Sequence, residues 1–250
     1  MKEPSILAST NAQAEPQDCN SISFIIPAWN EEAFLGATLA ALRVATTRLS
    51  VPFEIIVVDD GSTDRTAQIA ETQGAQVVKV NHRRIAAARN AGARFARGDL
   101  FVFIDADTLV TGVLIGAALD AVHRGAIGGG CRIRVDGSVP IWACLGPLLA
   151  NAFIRIFRVA PGCFLFCTRE AFQTVGGFDT TLFITEEITM SKGLKRHGRF
   201  VLLPHYVVTS ARKLQSISFG NSLLITLFAI LGGSRFFRSR KSKEMYYGQR

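Results

Sequence analysis

The chain has 250 residues, of which 48% are hydrophobic and 19% charged, and its formal net charge is +8. This composition excludes a disordered chain and supplies enough apolar residues for one large domain with a buried core. The five cysteines lack CxxC and CxxH spacing, which argues against a disulfide framework or a zinc site and favours reduced thiols in a cytosolic setting.

The two ends of the chain differ from its middle. Residues 1–20 have neither an apolar core nor a basic lead-in, so we expect a flexible tail there and not a signal peptide. From Ile188 onward the sequence holds 12 Lys or Arg and a single acid, Glu244, leaving 16 basic and 19 acidic residues elsewhere. A basic end behind a slightly acidic body favours an anionic surface as partner.

The first half alternates apolar runs with helical patterns. SFII is a short strand that breaks at Pro27, and residues 31–49 have helical apolar spacing. FEIIVV is a buried strand, TDRTAQIAETQG a helix stopped by Gly74, and AQVVKV a third strand. RRIAAARNAGARFARG is a helix that closes at Gly98, and LFVFI is a fourth strand.

Continuous apolar strands separated by helices predict a mostly parallel sheet covered on both faces, an α/β fold. Ligands of such sheets bind beyond the carboxyl ends of the strands. Residues 27–31, 59–61 and 105–107 would therefore meet at one edge.

Beyond Thr111 the pattern predicts further elements. GAIGGGCRIRVDG indicates a strand, IWACLGPLLANAFIRIFRVA a helix, and APGCFLFCTREAFQTVGGFD a strand, a turn and a short helix. TEEITMSKGLKRHG is typical of an amphipathic helix ending at Gly198, followed by the strand RFVLLPHYVV.

Two carboxylates follow the fourth strand in FVFIDADTLV. Asp105 and Asp107 are one residue apart and point the same way from an extended chain. Mg²⁺ and Mn²⁺ prefer such oxygen ligands, and a divalent ion there could bridge the phosphates of a diphosphate. A solvated turn with helix-capping acids is the alternative interpretation.

A second acidic pair follows the second strand. Asp59 and Asp60 could accept hydrogen bonds from a nucleobase or a ribose, and Gly61 allows close approach of the backbone. Alternatively Asp60 or Ser62 caps the next helix. Arg89, flanked by small residues, predicts contact with phosphate or base, or else a surface ion pair.

Six motifs in order carry a resemblance: FIIPAWNEE, VVDDGSTDRT, AAARNAGARFARGD, FIDAD, GGFD and TEE. Together they resemble family 2 glycosyltransferases of the GT-A (Rossmann-like) fold over residues 21–212. The resemblance implies transfer of a sugar from a nucleotide diphosphate-sugar to an acceptor hydroxyl, with inversion and with the help of a metal ion.

The resemblance also implies roles for individual residues. The nucleoside pocket would be lined by Pro27, Ala28, Asn30 and Glu31. Asp59 and Asp60 would hold base and ribose, Arg89 would steady the nucleotide with Asp105 and Ala106, and the metal would bind Asp105 and Asp107, directly at Asp107.

The catalytic base departs from the family pattern. The family places an aspartate after a glutamate, whereas this chain has Glu186 and Glu187. Glu187 aligns with that aspartate and could deprotonate the acceptor one methylene further out. Either glutamate could instead favour the N-terminus of the following helix.

Two further sites are expected from related transferases. His205 lies where some of them supply a third metal ligand, although a lone histidine beside a proline also suits packing or the surface. Arg212, with Lys213, could clamp the diphosphate. The QxxRW signature of processive synthases is absent, which favours a single addition.

The end of the chain, residues 213–250, is apolar and then basic. Its uncharged run barely matches the roughly 20 residues of a bilayer span. SRFFRSRKSK is typical of an interfacial helix on anionic lipid, and a core helix covering the sheet is the competing interpretation. No nucleic-acid-binding module is recognisable. We expect a cytoplasmic enzyme, peripheral on the inner face of a membrane if this end touches lipid.

Competing functions remain at this point. A sugar nucleotidyltransferase would need a Gly-rich phosphate loop after the first strand, and PAWNEE is not one. A non-catalytic, membrane-docked protein that binds nucleotide-sugars is compatible with the Glu-Glu departure. For the donor we expect UDP or GDP; the acceptor is not specified.

Overall fold

The computed structural model describes residues 19–136, 145–182 and 185–210. Residues 1–18 of the predicted tail, Arg212 and the C-terminal segment from 213 lie outside these residues. The elements in chain order are β1 (Ile22–Ala28), α1 (Leu35–Thr46), β2 (Phe53–Asp59), α2 (Thr66–Thr72), β3 (Gln76–Lys79), α3 (Ile85–Phe95), β4 (Leu100–Ile104), β5 (Thr108–Leu109), α4 (Gly112–His123), β6 (Ala126–Asp136), α5 (Leu145–Phe157), β7 (Phe164–Thr168), α6 (Arg169–Val175), α7 (Glu186–His197) and β8 (Arg199–Ser210).

The predicted parallel sheet forms from the first four strands, in the order β3-β2-β1-β4. Their apolar runs are buried on both faces because helices cover the sheet from two sides, giving two hydrophobic clusters. Gly92 of α3 allows close packing, since a Cβ there would lie 2.5 Å from Cγ2 of Ile25. The mixed α/β prediction is confirmed.

The second half of the chain extends the same sheet. β7 pairs antiparallel with β4, and the order continues through β6 and β8 to β5. β6 and β8 are parallel, although they are joined through an antiparallel neighbour and several helices. Four of the seven pairings in the described sheet are therefore parallel. The strands and helices expected beyond Thr111 are present within the described residues.

The described residues also test the expectations about cysteines and membrane spans. The four cysteines among them, Cys19, Cys131, Cys163 and Cys167, are free and buried. Within the same part of the chain, no helix combines the length and apolar character needed to cross a bilayer. Before β1, the backbone N–H of Asn20 donates to Asp99 over 3.1 Å.

Candidate active site

The carboxyl ends of β1, β2 and β4 meet at one edge, as the alternation of strands and helices predicts. Ala28 at the end of β1 lies level with Asp59 at the end of β2, and Asp60 donates its N–H to the Ala28 carbonyl over 2.8 Å. Pro27 and Ala28 are buried within β1. The predicted nucleoside residues and both acidic motifs therefore share this edge.

The loop after β1 is tied to the loop after β2 by side chains. The Asn30 amide oxygen accepts the Thr63 N–H over 2.8 Å, and the Asn30 N–H donates to the Ser62 hydroxyl over 3.0 Å. Glu31 donates its N–H to the Thr66 hydroxyl over 2.8 Å. Asn30 has a φ of 52°, a left-handed conformation that asparagine tolerates. Asn30 and Glu31 thus shape this edge through their backbone and polar groups.

Asp60 binds backbone groups of the loop before α3. Its two carboxylate oxygens accept the N–H groups of His82 and Arg84, the latter over 2.9 Å. Asp59 accepts the Ser62 N–H over 3.0 Å, and both aspartates are buried. Asp60 therefore holds the β3–α3 connection, which the sequence motif alone does not indicate.

The alternative that Asp60 or Ser62 caps the next helix is wrong. The first turn of α2 is bound by Asp64, whose Oδ1 accepts the Thr66 N–H over 3.0 Å. The N-cap position itself, Arg65, makes no side-chain capping bond. Asp60 does not cap α2, because its carboxylate oxygens accept hydrogen bonds from the loop between β3 and α3.

An aromatic ring lies at the same edge. Trp29 is partly buried, and the guanidinium carbon of Arg83 lies 4.7 Å from the centre of its ring. A Cβ on Gly61 would approach the Asn81 amide oxygen at 2.9 Å, and Gly61 has a φ of 75°. Trp29, Gly61, Asn81 and Arg83 thus form one crowded wall beside Asp59.

Arg89 is the centre of the site's charge network. It is fully buried on α3, with 1% of its side chain exposed. Its Nη1 donates to Glu186 over 2.8 Å, and its Nη2 donates to Asp105 over 2.9 Å and to the Gly162 carbonyl over 2.6 Å. Its guanidinium carbon also lies 5.2 Å from the ring centre of Phe178. The predicted surface ion pair is excluded, since both salt bridges are buried.

The charges in this network shift two pKa values. Burial alone would lower the pKa of Arg89, but the adjacent charges of Asp105 and Glu186 outweigh it and raise the pKa above its usual range. Burial, followed by repulsion from Glu186, raises the pKa of Glu187 to about 8, against the weaker opposing effect of Arg89. A carboxyl group with such a pKa can exchange a proton near neutral pH.

The two glutamates at the start of α7 have different surroundings. Glu186 is buried and paired with Arg89. Glu187 is partly buried over Gly162, where an added Cβ would lie 3.6 Å from Cδ of Glu187. The preceding Thr185 has a φ of 71°, a left-handed conformation that is costly for a β-branched residue. This turn directs the two adjacent side chains to different partners.

The turn after β4 carries the predicted Asp-Ala-Asp motif. Asp105 and Asp107 are each 6% exposed, and Ala106 between them is buried. The Ala106 carbonyl accepts the Thr38 hydroxyl over 2.8 Å. The Asp107 carbonyl accepts the N–H of Ser210 at the end of β8 over 3.3 Å. The motif is therefore held from both sides and is not a solvated turn.

These residues fit a divalent cation that is completed by a ligand. Mg²⁺ is commonly held by one or two carboxylates together with substrate phosphates. Asp105 and Asp107 are therefore enough protein ligands for such an ion. In the described part of the chain, no three His, Cys, Asp or Glu side chains are grouped around a possible metal position. From β8, the Thr209 hydroxyl donates to Asp107 Oδ1 over 3.5 Å.

His205 lies further back along β8. It is partly buried, and its Nδ1 is buried without a hydrogen-bond partner among the described residues. The structure does not group it with Asp105 and Asp107. Its role as a metal ligand stays a prediction.

A cavity of about 240 Å³ lies beside Arg89, Asp105 and the two glutamates. It is lined on one side by Asp105, Glu186 and Glu187, and on another by α5 and the end of β8. The carboxylates are thus placed on the wall of a space large enough for part of a small ligand.

The family comparison agrees with this geometry. The model of the family described as "Glycosyl transferase family 2" matches residues 23–176, more than half of the chain. The chain belongs to glycosyl transferase family 2. The suspected family and the GT-A-like fold are therefore confirmed.

One characterised relative is an undecaprenyl-phosphate 4-deoxy-4-formamido-L-arabinose transferase from Pseudomonas aeruginosa. It is 41% identical over 101 residues, which are 37% of this chain and 30% of that protein. The chain thus matches less than a third of the relative's length.

Solved structures of family 2 enzymes share the fold. A mannosyltransferase from Pyrobaculum calidifontis, in complex with GDP-Man and Mn²⁺, has a TM-score of 0.61 at 21% identity and covers 78% of this chain and 58% of its own. Staphylococcus aureus TarS in complex with UDP-GlcNAc has a TM-score of 0.60 at 21% identity, covering 76% and 58%. At this identity the likeness shows the fold.

Within the family 2 fold, several site residues escape detection from the sequence. Gly162, Phe178 and Thr185 contact or position the charge network. Phe178 and Thr185 lie in the GGFD and TEE motifs but receive no role from the sequence, and Gly162 lies in none of the six motifs. The Pro-Gly pair before β7 was a usable signal for Gly162, because glycine often marks close approach of other groups. Arg212, the predicted diphosphate clamp, lies outside the described residues.

Proposed function

We propose that this protein transfers a sugar from a nucleoside diphosphate-sugar to an acceptor hydroxyl, with inversion at the anomeric carbon and a single addition. The observation that carries the proposal is that the carboxylates near Arg89 have different surroundings. Asp105 and Glu186 are paired with its guanidinium, whereas Glu187 lies on the cavity wall with its pKa raised to about 8. The pair of glutamates thus provides one positioning carboxylate and one base.

In the proposed step the acceptor oxygen attacks the anomeric carbon from the side opposite the diphosphate. A carbon–oxygen bond forms to the acceptor as the bond to the diphosphate oxygen breaks, and the nucleoside diphosphate leaves with that electron pair. The acceptor's proton passes to a carboxylate oxygen of Glu187. Because one displacement occurs, the configuration inverts. A base with a pKa near neutrality is well suited to this transfer.

Asp105 and Asp107 would hold Mg²⁺ or Mn²⁺, with Asp107 as the direct ligand. The buried carboxylates fit a cation completed by phosphate oxygens, and the Pyrobaculum mannosyltransferase was solved with Mn²⁺. When bound, the ion would stabilise negative charge on the departing diphosphate. Arg89 holds Asp105 in place for this role.

The donor's nucleoside would bind at the edge formed by the loops after β1 and β2. Pro27, Ala28, Asn30 and Glu31 shape that edge, and Asp59 would accept hydrogen bonds from base or ribose. Asp60 would act mainly through the loop that it fixes. UDP and GDP are the candidates, supported by the nucleotide-sugars in the two solved relatives.

The acceptor hydroxyl would belong to a lipid-linked molecule or to another molecule presented near a membrane. Support for an acceptor near a membrane comes from the Pseudomonas relative, an undecaprenyl-phosphate 4-deoxy-4-formamido-L-arabinose transferase. We propose peripheral contact with the inner face of a membrane and no partnership with nucleic acid. The family match favours sugar transfer over the alternative of nucleotidyl transfer.

The decisive experiment compares the wild type with Glu187→Gln. Release of UDP or GDP from their sugar conjugates is measured with Mn²⁺ and a lipid-linked monosaccharide that offers free hydroxyls, and melting temperature is measured with each free nucleotide. We expect Glu187→Gln to lower turnover by roughly 10²–10⁴-fold while the nucleotide-dependent shift survives. A ligand at a hundredfold its Kd stabilises a fold by about 2.7 kcal/mol, so the shift is measurable.

Two outcomes would contradict the proposal. Unchanged turnover in Glu187→Gln would remove this residue as the base. A nucleotide shift in a wild type that shows no turnover with any donor would favour the non-catalytic binder instead. Asp107→Asn and added chelator serve as the matched test of the metal, and both should abolish the metal-dependent part of the shift.

A further inference from the structure

The helix α5 exposes a large apolar face. Leu148, Leu149 and Ile156 are 65%, 63% and 73% exposed, and Phe157 after them is also exposed. Spacings of seven and eight residues place Leu148, Leu149 and Ile156 on one side of a helix. Clusters of exposed large apolar side chains on one face often mark an interaction surface.

The opposite face of α5 is bound to the body of the domain. The Asn151 side chain accepts the Ile133 N–H over 2.9 Å and donates to the Ile133 carbonyl over 2.8 Å, and Ile154 is buried. Pro147 and Ala150 line the cavity that holds Glu187. One helix therefore forms both a wall of the candidate active site and an exposed apolar surface.

Basic groups surround this apolar face. Arg155 and Arg158 are exposed, and Lys195 donates its ammonium to the Phe157 carbonyl over 2.8 Å. Burial, followed by the nearby charges of Lys192 and Arg158, lowers the pKa of Lys195. The sequence holds no acid between Asp136 and Glu170. The surface is thus apolar and positively charged.

We propose that α5 docks on an anionic lipid bilayer. Leu148, Leu149 and Ile156 enter the boundary between head groups and acyl chains, and Arg155, Arg158 and Lys195 face the lipid phosphates. Docking turns the α5 wall of the cavity toward the membrane surface, so a lipid-linked acceptor reaches Glu187 without leaving its leaflet. This purpose rests on the proposed function, whereas the docking itself does not.

Charge favours a bilayer over the other possible occupants of this face. A twofold-symmetric contact with a second copy would bring two sets of the same basic residues together. The chain's own residues 211–250 carry eight Lys or Arg and one acid, so they also match this surface poorly in charge. Anionic lipid is complementary to both the apolar and the basic groups.

The test is flotation of the full chain with vesicles of phosphatidylcholine alone or with 30% phosphatidylglycerol, without donor or acceptor. We expect binding to the anionic vesicles, reduced at least tenfold by the triple variant Leu148→Gln, Leu149→Gln, Ile156→Gln. The matched control is Val44→Gln with Val113→Gln, which changes exposed apolar residues on α1 and α4 and should bind as the wild type does. Arg155→Gln and Arg158→Gln should each weaken binding about fivefold.

Each other outcome overturns the proposal. Binding of the triple variant equal to that of the wild type would exclude α5 as the docking surface. A smaller particle in solution for the triple variant would assign the face to a second copy. If the triple variant melts at a much lower temperature than the wild type and the wild type binds no vesicles, the apolar face of α5 is to be assigned to contact with residues 211–250. The nucleotide-dependent shift in melting temperature is measured in parallel. A shift that persists without vesicle binding means that the docking proposal alone has failed, and a missing shift counts against the transferase proposal.

Discussion

The acidic ends of β2 and β4 have similar sequences but are held in different ways. At the end of β2, Asp60 binds backbone N–H groups of a loop only 22 and 24 residues away in sequence. At the end of β4, Asp105 binds the guanidinium of Arg89, which also binds Glu186 from 97 residues further along the chain. The first site is built locally, and the second requires both halves of the sheet.

This difference determines whether water can take the place of the charged group when it is removed from each site. The amides around Asp60 are partly buried, so water can satisfy them when the carboxylate is removed. The carboxylates around Arg89 are almost fully buried, and water has little access to replace its charge. Removing one member of a buried ion pair leaves the other unpaired, which is strongly destabilising. The β4 site should therefore be the more fragile of the two.

The largest expected effect is that of Arg89→Met. It leaves Asp105 and Glu186 buried without a cation, and we expect a loss of about 3–5 kcal/mol in the free energy of unfolding. Urea denaturation followed by circular dichroism measures it. Arg94→Met, on the exposed side of the same helix, should stay within about 0.5 kcal/mol of the wild type. Equal effects of the two variants would show that the buried network does not support the fold.

A smaller effect is expected for Asp60→Ala. Two backbone N–H groups lose a charged acceptor and gain water, so the free energy of unfolding should fall by about 1–2 kcal/mol. The same urea series measures it, with the exposed Asp120→Ala on α4 as control. A loss as large as that of Arg89→Met would contradict the distinction between the two strand ends.

The smallest effect concerns the pH dependence of stability in Glu187→Gln. The folded state raises the pKa of Glu187 from 4.5 to about 8, so between these values the native carboxyl retains a proton that the unfolded chain has lost. The wild type's free energy of unfolding should therefore fall, relative to the variant, as pH rises from 4.5 to 8. At about 1.4 kcal/mol per pKa unit, a change from 4.5 to about 8 corresponds to roughly 4–5 kcal/mol by pH 8. Because Glu187 is partly exposed, water lowers the cost of ionising it, and we expect roughly 1–2 kcal/mol, or several degrees in melting temperature.

Melting scans of both proteins at pH 4.5, 6 and 8 test this expectation. Asp120→Asn is the control, since it removes an exposed carboxylate outside the site. Parallel curves for wild type and Glu187→Gln across this range would mean that Glu187 ionises as an ordinary surface glutamate. Its assignment as a base tuned by burial would then be wrong.

Much of the parallel half could be predicted from the sequence. SFII, FEIIVV and LFVFI are continuous apolar runs, which are typical of strands buried on both faces of a parallel sheet. Their common direction places Asp59 and Asp105 at one edge. The helices between them could be predicted from helical apolar spacing and glycine stops, although α1 begins at Leu35 instead of residue 31 because residues 31–34 form a turn.

The pairing of β7 with β4 could not be predicted in this way. An apolar run such as FLFCT can pair with any open strand, in either direction, and nothing local specifies its neighbour. This pairing brings Gly162, just before β7, to Arg89. The partners of the guanidinium therefore depend on topology, not on spacing along the chain.

By itself, the sequence determined which groups are available: the acidic strand ends, Arg89 among small residues, and two adjacent glutamates before a helix. Patterning is enough for this, because the period of apolar residues decides which positions are buried and where each strand ends. The tertiary structure alone decided how those groups are paired. Arg89 is bound to Asp105 and Glu186, and Glu187 faces the cavity, because the left-handed turn at Thr185 and the β4–β7 pairing bring distant segments together. Desolvation and neighbouring charge act only after that assembly, so the pKa that suits Glu187 to accept a proton is a property of the fold.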